Sequence, residues 1–254
     1  MINHTDLGRE LFYQLALARF GGAPRAELGG VVNVKHAIEQ AMQLEQDIAS
    51  GLFDAAAAHG SEATAGGTAL KPSVVSETNN DLATQIVELL TSKTEMLDEY
   101  FSIRFSSQKD PESGKEALML VGLPVLLEGH SPPPHALPLF LLRLATEVDW
   151  EQERPCFHDI CTEIGNFYAE IPFDLDLASG DGSDGNGDES ESEAASSDDD
   201  MAMKLIDEAA KHFVKHTLYP AISFLLVPPK DFASNGSVVK LALLSSLYKV
   251  FERC

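Results

Sequence analysis

With 254 residues and 44% apolar side chains, the chain is long enough for one large domain or two small ones around a real core. Forty acidic residues against 18 basic ones leave a net charge of −22, which argues against a general DNA-binding surface, since that requires clustered Lys and Arg to displace counterions. Three cysteines, Cys156, Cys161 and Cys254, make no disulfide framework and fit a reducing compartment. No basic and apolar leader opens the chain and no apolar run reaches membrane length, so a soluble intracellular protein is expected.

Residues 6–20 read as a helix, with Leu7, Leu11, Leu15 and Ala18 in one stripe, Phe12 beside it, and Gly21-Gly22 as its stop. A second helix is expected from Val34 to about Ala58, capped by Asn33 and buried through Val34, Ala37, Ile38, Ala41, Met42 and Ile48. Residues 59–80, rich in Gly, Ser, Thr and Ala, read as a loop. Asp81 is expected to cap a third helix to about Glu99, with Ile86, Leu89, Leu90 and Leu97 facing inward. Phe101, Ile103 and Phe105 then alternate with Ser102 and Arg104, the period of a half-buried strand. The polar turn Ser106–Lys115 and the strand Ala117–Val121 complete a hairpin. Gly122 and Pro124 read as an interruption before a short strand or edge at Val125–Leu127.

The prolines Pro132–Pro134 are stiff and deliver the chain to Leu137–Trp150, around which the rest is organised. There Leu139, Phe140, Leu141, Leu142, Leu144, Ala145 and Val148 point nearly all round a helical wheel, which marks a buried helix. Arg143 and Glu147 make it too charged, and its length too short, to span a bilayer. A further helix covers about Pro155–Ala169, where Cys156 and Cys161 fall on different faces and read as small packed apolar groups, not a metal pair. Asp174–Asp200 holds 11 acids and no base, half of the net charge, and reads as a disordered insert. Met203 to about Leu218 is helical, burying Leu205, Ile206, Ala209, Phe213 and Leu218. His212 and His216 stand four apart, but a zinc site needs two more ligands, so they read as a solvated face beside Lys211 and Lys215. Pro220 and Pro228-Pro229 punctuate the next segment, Val238–Leu243 reads as a strand and Tyr248–Cys254 as a short tail. Helices and a few strands in separated runs argue for the α+β class, helices packed on a small, mostly antiparallel sheet.

The wording of several stretches carries more than their periodicity. LPLFLLRLATEVDWEQERPCF at 137–157 and LYKVFERC at 247–254, together with ELFYQLALARFG, IVELLTSKTEMLDEYFSI and LVGLPVLLEGHSPP, resemble the C-terminal dimerisation domain of the eukaryotic MutL homologue, the common MLH-type subunit of mismatch-repair heterodimers such as MutL-alpha. The resemblance covers most of the chain except about residues 25–80 and 173–200. It implies one domain over 1–254, incomplete at its N-terminus because the strands that precede the first helix in relatives are absent, with the acidic insert inside it.

In that family the partner subunit carries an endonuclease motif of the form DQHAxxERxxxxE at the start of the first helix. Laid over it, this chain has Asn3, His4, Thr5 and Asp6 for Asp, Gln, His and Ala, and Arg9 and Glu10 for Glu and Arg. One metal carboxylate has become an amide and another a cation, so a two-metal site is incomplete, and Asp6 and Glu10 read as helix-dipole charges. GxGxxG, P-loop and GxSxG motifs are absent, and the family's ATPase resides in a separate domain. The resemblance therefore implies a non-enzymatic nuclear subunit that pairs with a PMS-type homologue, meets a mismatch-repair exonuclease, and has no cofactor of its own, no membrane contact and no sequence-specific DNA binding. It further implies that Cys254 reaches the partner's metal site in trans and shares its zinc, with Tyr248, Val250, Phe251 and Arg253 anchoring the tail. The alternative from composition alone is an acidic, chaperone-like interaction module that works through the Asp174–Asp200 run.

Overall fold

The computed structural model describes residues 3–57, 72–109, 114, 116–170, 204, 208 and 210–239. The acidic insert, Leu205, Ile206, Ala209, the residues of Val238–Leu243 beyond Val239, and the tail with Tyr248, Val250, Phe251, Arg253 and Cys254 lie outside them.

The first helix, α1 (His4–Ala18), starts on Asn3, whose Oδ1 accepts the Thr5 N–H at 3.1 Å. Leu7, Leu11, Phe12 and Ala16 are buried, whereas Ala18 is exposed at the last turn. The next element is β1 (Arg25–Asn33), a strand the sequence did not suggest: its residues are mostly exposed and its centre is Gly29-Gly30. Asn33 then caps α2 (Val34–Ala57), as expected, by accepting the His36 N–H at 3.2 Å. Ile48 lies on the solvent side of α2 instead of its core face.

α3 (Pro72–Phe101) corrects two expectations. It takes in residues 72–80, expected as loop, and it runs straight through Asp81, which is a mid-helix residue and no cap. Pro72 opens it, at the helical position where a missing N–H costs nothing. Phe101 is its last residue, so the expected strand begins later, as β2 (Arg104–Lys109). Ser102 is the reason. It takes a left-handed conformation (φ 56°), held by its Oγ donating to the Ala23 carbonyl at 2.9 Å, and Phe101, Ser102 and Ile103 are all buried instead of alternating.

β3 (Glu116–Pro124) is the centre of an antiparallel sheet of order β1-β3-β2. Gly122 and Pro124, expected to break it, are paired with Glu27 and Arg25. A Cβ on Gly122 would lie 3.0 Å from the Arg25 side chain and 3.3 Å from the Ala26 carbonyl oxygen, so the glycine relieves a tight fit where β1 meets β3. The strand expected at Val125–Leu127 is irregular chain, tied to β1's approach by Val125 N–H donating to the Pro24 carbonyl at 2.7 Å.

A 3₁₀ turn (Pro134–Ala136) leads into α4 (Leu137–Thr146), four residues shorter than the expected core helix. Leu137, Phe140, Leu141, Leu142, Leu144 and Ala145 are buried, Val148 is buried beyond the helix end, and Leu139 faces out. Helix α4 packs on α2 and on α5 (Glu153–Tyr168), and α5 packs lengthwise on α1. One glycine sets that last crossing: a Cβ on Gly165 would lie 2.7 Å from the Arg9 carbonyl oxygen, whereas one on Gly8 would meet Ala169 at an ordinary 3.4 Å.

Residues 210–225 form one helical stretch with a π turn (Val214–Leu218) before α6 (Tyr219–Leu225). Pro220 therefore lies inside a helix and does not end it. The widened π turn just ahead absorbs a residue that has no N–H to give and whose ring crowds the preceding turn. The α+β class holds: helices on a three-stranded antiparallel sheet. No described helix is long and apolar enough to cross a membrane.

Candidate functional site

Two surfaces combine exposure with a built architecture. The first is the trench between α1 and α5. The glycine crossing brings the helices close enough for the Tyr13 hydroxyl to meet His158 Nδ1 at 2.8 Å, with the rings edge to face. Burial, then the neighbouring Cys161 and Glu10, pushes the Tyr13 phenol above its ordinary value, so it stays a hydrogen-bonding neutral group. This pair divides the trench. On one side lies a cleft of about 910 Å³ whose apolar wall is Leu17, Pro155 and Phe157 and whose rim carries Glu153, Arg154 and Asp159.

On the other side is a polar cleft of about 350 Å³ that includes Asp6, Arg9, Glu10, Asn166 and Ser237. Asp6, Arg9 and Glu10 are among the positions laid over the family's nuclease motif in the sequence comparison above. The two carboxylates are occupied in holding the fold. Asp6 accepts from Asn3 Nδ2 at 2.7 Å and from Ser237 Oγ at 2.9 Å, which ties the helix start to the end of the described chain. Asp6 sits in the first turn of α1, where the helix dipole favours it. Glu10 accepts from Gln14 Nε2 at 2.8 Å. Among the described residues there is no group of three or more His, Cys, Asp or Glu that could hold a metal ion. His212 and His216 sit ring to ring at 4.5 Å on the exposed face of their helix, with no third ligand among the described residues. Cys156 and Cys161 are buried free thiols packed in the core. Burial pushes the Cys161 thiol up to about 12 and raises that of Cys156, which favours the protonated thiol at both.

The second surface is apolar. Phe224 is 86% exposed and Val227 73% exposed, with Tyr219 and Leu225 beside them in sequence also exposed. Such groups in a row on a folded surface mark an interaction site. They are held in place, not loose. The Gln14 side-chain amide pairs with the backbone of Val227 in both directions, Nε2 donating to the carbonyl at 2.8 Å and Oε1 accepting the N–H at 2.9 Å. One side chain of α1 thus acts as a short strand partner for the segment that follows α6, and Pro228-Pro229 keeps that segment extended. Leu218, fully buried against Gly8, fixes the near end.

Periodicity had flagged the burial of Phe213 and Leu218 but not this clamp, which joins residues 213 positions apart. The Tyr13–His158 pair likewise joins positions 145 apart. The one available signal was compositional: Phe224, Leu225, Leu226 and Val227 form an apolar run beside two prolines, too short to be a helix of its own. The tail residues Tyr248, Val250, Phe251, Arg253 and Cys254 lie outside the described residues.

Comparison with known proteins was made against this geometry. The sequence profile of the family described as DNA mismatch repair protein Mlh1 C-terminus matches residues 1–254. DNA mismatch repair protein Mlh1 of Dictyostelium discoideum is 34% identical over 254 residues, all of this chain and 24% of that protein. DNA mismatch repair protein MLH1 of Saccharomyces cerevisiae is 30% identical over 181 residues, 70% of this chain and 21% of that protein. The putative MutL protein homolog 1 of Schizosaccharomyces pombe is 25% identical over 171 residues, 67% of this chain and 20% of that protein. The chain thus spans about a quarter or less of the length of the curated relatives it matches.

Proposed function

The chain belongs to the family of DNA mismatch repair Mlh1 C-termini, and from that membership we propose that it is a non-catalytic dimerisation region which pairs with a PMS-type MutL homologue through the face of Tyr219, Phe224, Leu225 and Val227. The observation that carries this reading is the exposure of Phe224 and Val227 on a segment whose backbone Gln14 holds at Val227, two large apolar side chains that face away from the described core. A permanent heterodimer requires such an apolar centre, because its interface runs to roughly 2,000 Å² or more. Replacing Phe224 and Val227 together by aspartate is expected to weaken capture of the partner's C-terminal domain by about thirtyfold or more, the effect of losing a hot spot of ~2 kcal/mol. The circular dichroism of the isolated chain should be unchanged, since both side chains face solvent. Undiminished affinity in a titration by calorimetry would move the interface elsewhere.

The work of the complex is nuclear, and a mismatch-repair exonuclease is its further partner. For that partner the larger cleft offers an apolar wall at Leu17, Pro155 and Phe157 and acids at Glu153 and Asp159 for basic side chains. Zinc, where present, belongs to the partner's site. The resemblance of the LYKVFERC ending to the family's tail is what supports Cys254 as the group this chain lends. Its thiolate would supply a soft, negatively charged ligand of the kind zinc favours. Cys254→Ala in the reconstituted heterodimer is expected to leave dimerisation intact while bound zinc, read by atomic absorption, falls. Unchanged zinc content would reduce Cys254 to a chain end.

A further inference from the structure

Among the described residues His130 is the buried imidazole, and it belongs to neither surface above. It lies in the irregular chain after β3, its own N–H donating to the Leu127 carbonyl at 3.2 Å. Three elements meet on its ring. Phe12 of α1 stacks on it at 5.1 Å between centroids, Phe213 of the stretch 210–225 stacks at 4.7 Å, and Tyr168 of α5 meets it edge-on at 6.1 Å. His130 Nε2 lies 2.9 Å from the Tyr168 carbonyl oxygen. A carbonyl only accepts, so Nε2 carries the hydrogen and Nδ1 is the basic nitrogen.

We propose that His130 is an acid-sensitive latch that holds the helical stretch 210–225 against α1 and α5 while neutral and releases it when Nδ1 takes up a proton. The proton makes an imidazolium between two phenylalanine rings. The groups facing it are Phe12 from α1, Phe213 from 210–225, and the ring and carbonyl of Tyr168 from α5, none of them charged. Tyr168 is the one titratable side chain among them, and burial drives its phenol far above its ordinary value. Arg9 and Glu10 of α1 line the cleft shared with His158, while Glu128, Lys211, His212, Lys215 and His216 are exposed. The ring faces attract a cation, but by less than burial costs it. The balance lowers the His130 pKa from its ordinary 6.5, burial being the larger cause and the Tyr168 hydrogen bond opposing it.

The released state binds the proton more tightly than the docked one. Docking is therefore fully favoured above pH 6.5 and weakens as pH falls below it. Because 210–225 leads into Val227 and carries Phe224, acid also weakens partner capture; that last consequence rests on the partner surface argued above, while the latch itself does not.

The test uses the full chain without partner. The His130 ring is titrated by NMR, and amide protection factors are measured for 211–225 and for α2 across the same pH range. A single linked proton predicts that protection in 211–225 falls by about tenfold per pH unit below 6.5, with α2 unmoved and the ring titrating below 6.5. His130→Phe should flatten the slope, while a His212→Gln/His216→Gln pair should keep it. The proposal is overturned by a His130 ring that titrates at 6.5 or above in the folded chain, by a slope that persists in His130→Phe, or by one that vanishes in the His212/His216 pair. The ring titration is made on the unaltered protein, so a variant that fails to fold does not remove the test.

Discussion

Replacing Gly165 by valine is expected to destabilise the chain by about 3 kcal/mol or more, the upper end of what overpacking costs. The first added carbon would lie 2.7 Å from the Arg9 carbonyl oxygen and 3.2 Å from the Tyr13 nitrogen. Both neighbours are backbone, so no rotamer change relieves the contact and α1 itself must shift. Leu11, Phe12 and Ala16, all buried on that helix, would lose packing together. Gly165→Ala sets two terms against each other: removing a mid-helix glycine gains about 1 kcal/mol, while the clash costs roughly 1–3 kcal/mol. Net destabilisation is expected, smaller than for valine. Gly8→Ala is the internal control. Its Cβ would meet Ala169 at an ordinary 3.4 Å, so it should be neutral or slightly stabilising. Urea melts of the three variants check the order.

Arg143→Ala is expected to cost about 2–3 kcal/mol. Glu163 is 5% exposed, and its two oxygens take the Arg143 guanidinium at 2.7 and 3.1 Å. Removing the cation leaves a carboxylate among Phe140, Phe167 and the core of α4 and α5, with only Asn166 Nδ2, at 3.3 Å, still donating. The figure is set below the 3–5 kcal/mol of a fully enclosed pair because the Arg143 side chain keeps 42% of its surface in solvent. Hydrogen bonding to Glu163 is also what raises the Arg143 pKa. The double replacement Arg143→Met/Glu163→Leu should be much closer to wild type than Arg143→Ala. If it is worse than either single variant in thermal melts, the pair stabilises the fold in its own right.

The helices were legible wherever one face alone was buried. Asn33 and the run Val34, Ala37, Ile38 and Ala41 announced α2, and Pro138 with its leucines announced α4. Elements set by a partner segment were not. β1 has no alternation because most of its side chains face water, and it exists through its pairing with β3. The start of β2 was misread because a single left-handed serine overrides a good alternation. Arg143 and Glu163 were visible as two charges within apolar faces, yet nothing local said that they meet across 20 positions. The trench and the Gln14 clamp depend on contacts between the two ends of the described chain, which no window of sequence contains.

The π turn at Val214–Leu218 sets the phase of everything after it. Each residue of an α-helix advances the bearing by about 100°. One extra residue in the turn therefore lets Phe213 point at His130 while Phe224, on the same helical stretch, points at solvent. A one-residue deletion within 214–218 would leave the composition, the hydropathy and the inward anchor intact. It would keep Phe224 close to its present bearing, since ten residues at about 100° end near where eleven with a wide turn do, but it would force Pro220 into a regular helix that cannot accept it. The turn thus holds one residue more between Phe213 and Phe224 than a regular helix of the same phase would carry, and a further insertion there, which would shift Phe224 by about 100°, should be tolerated far less well than a substitution.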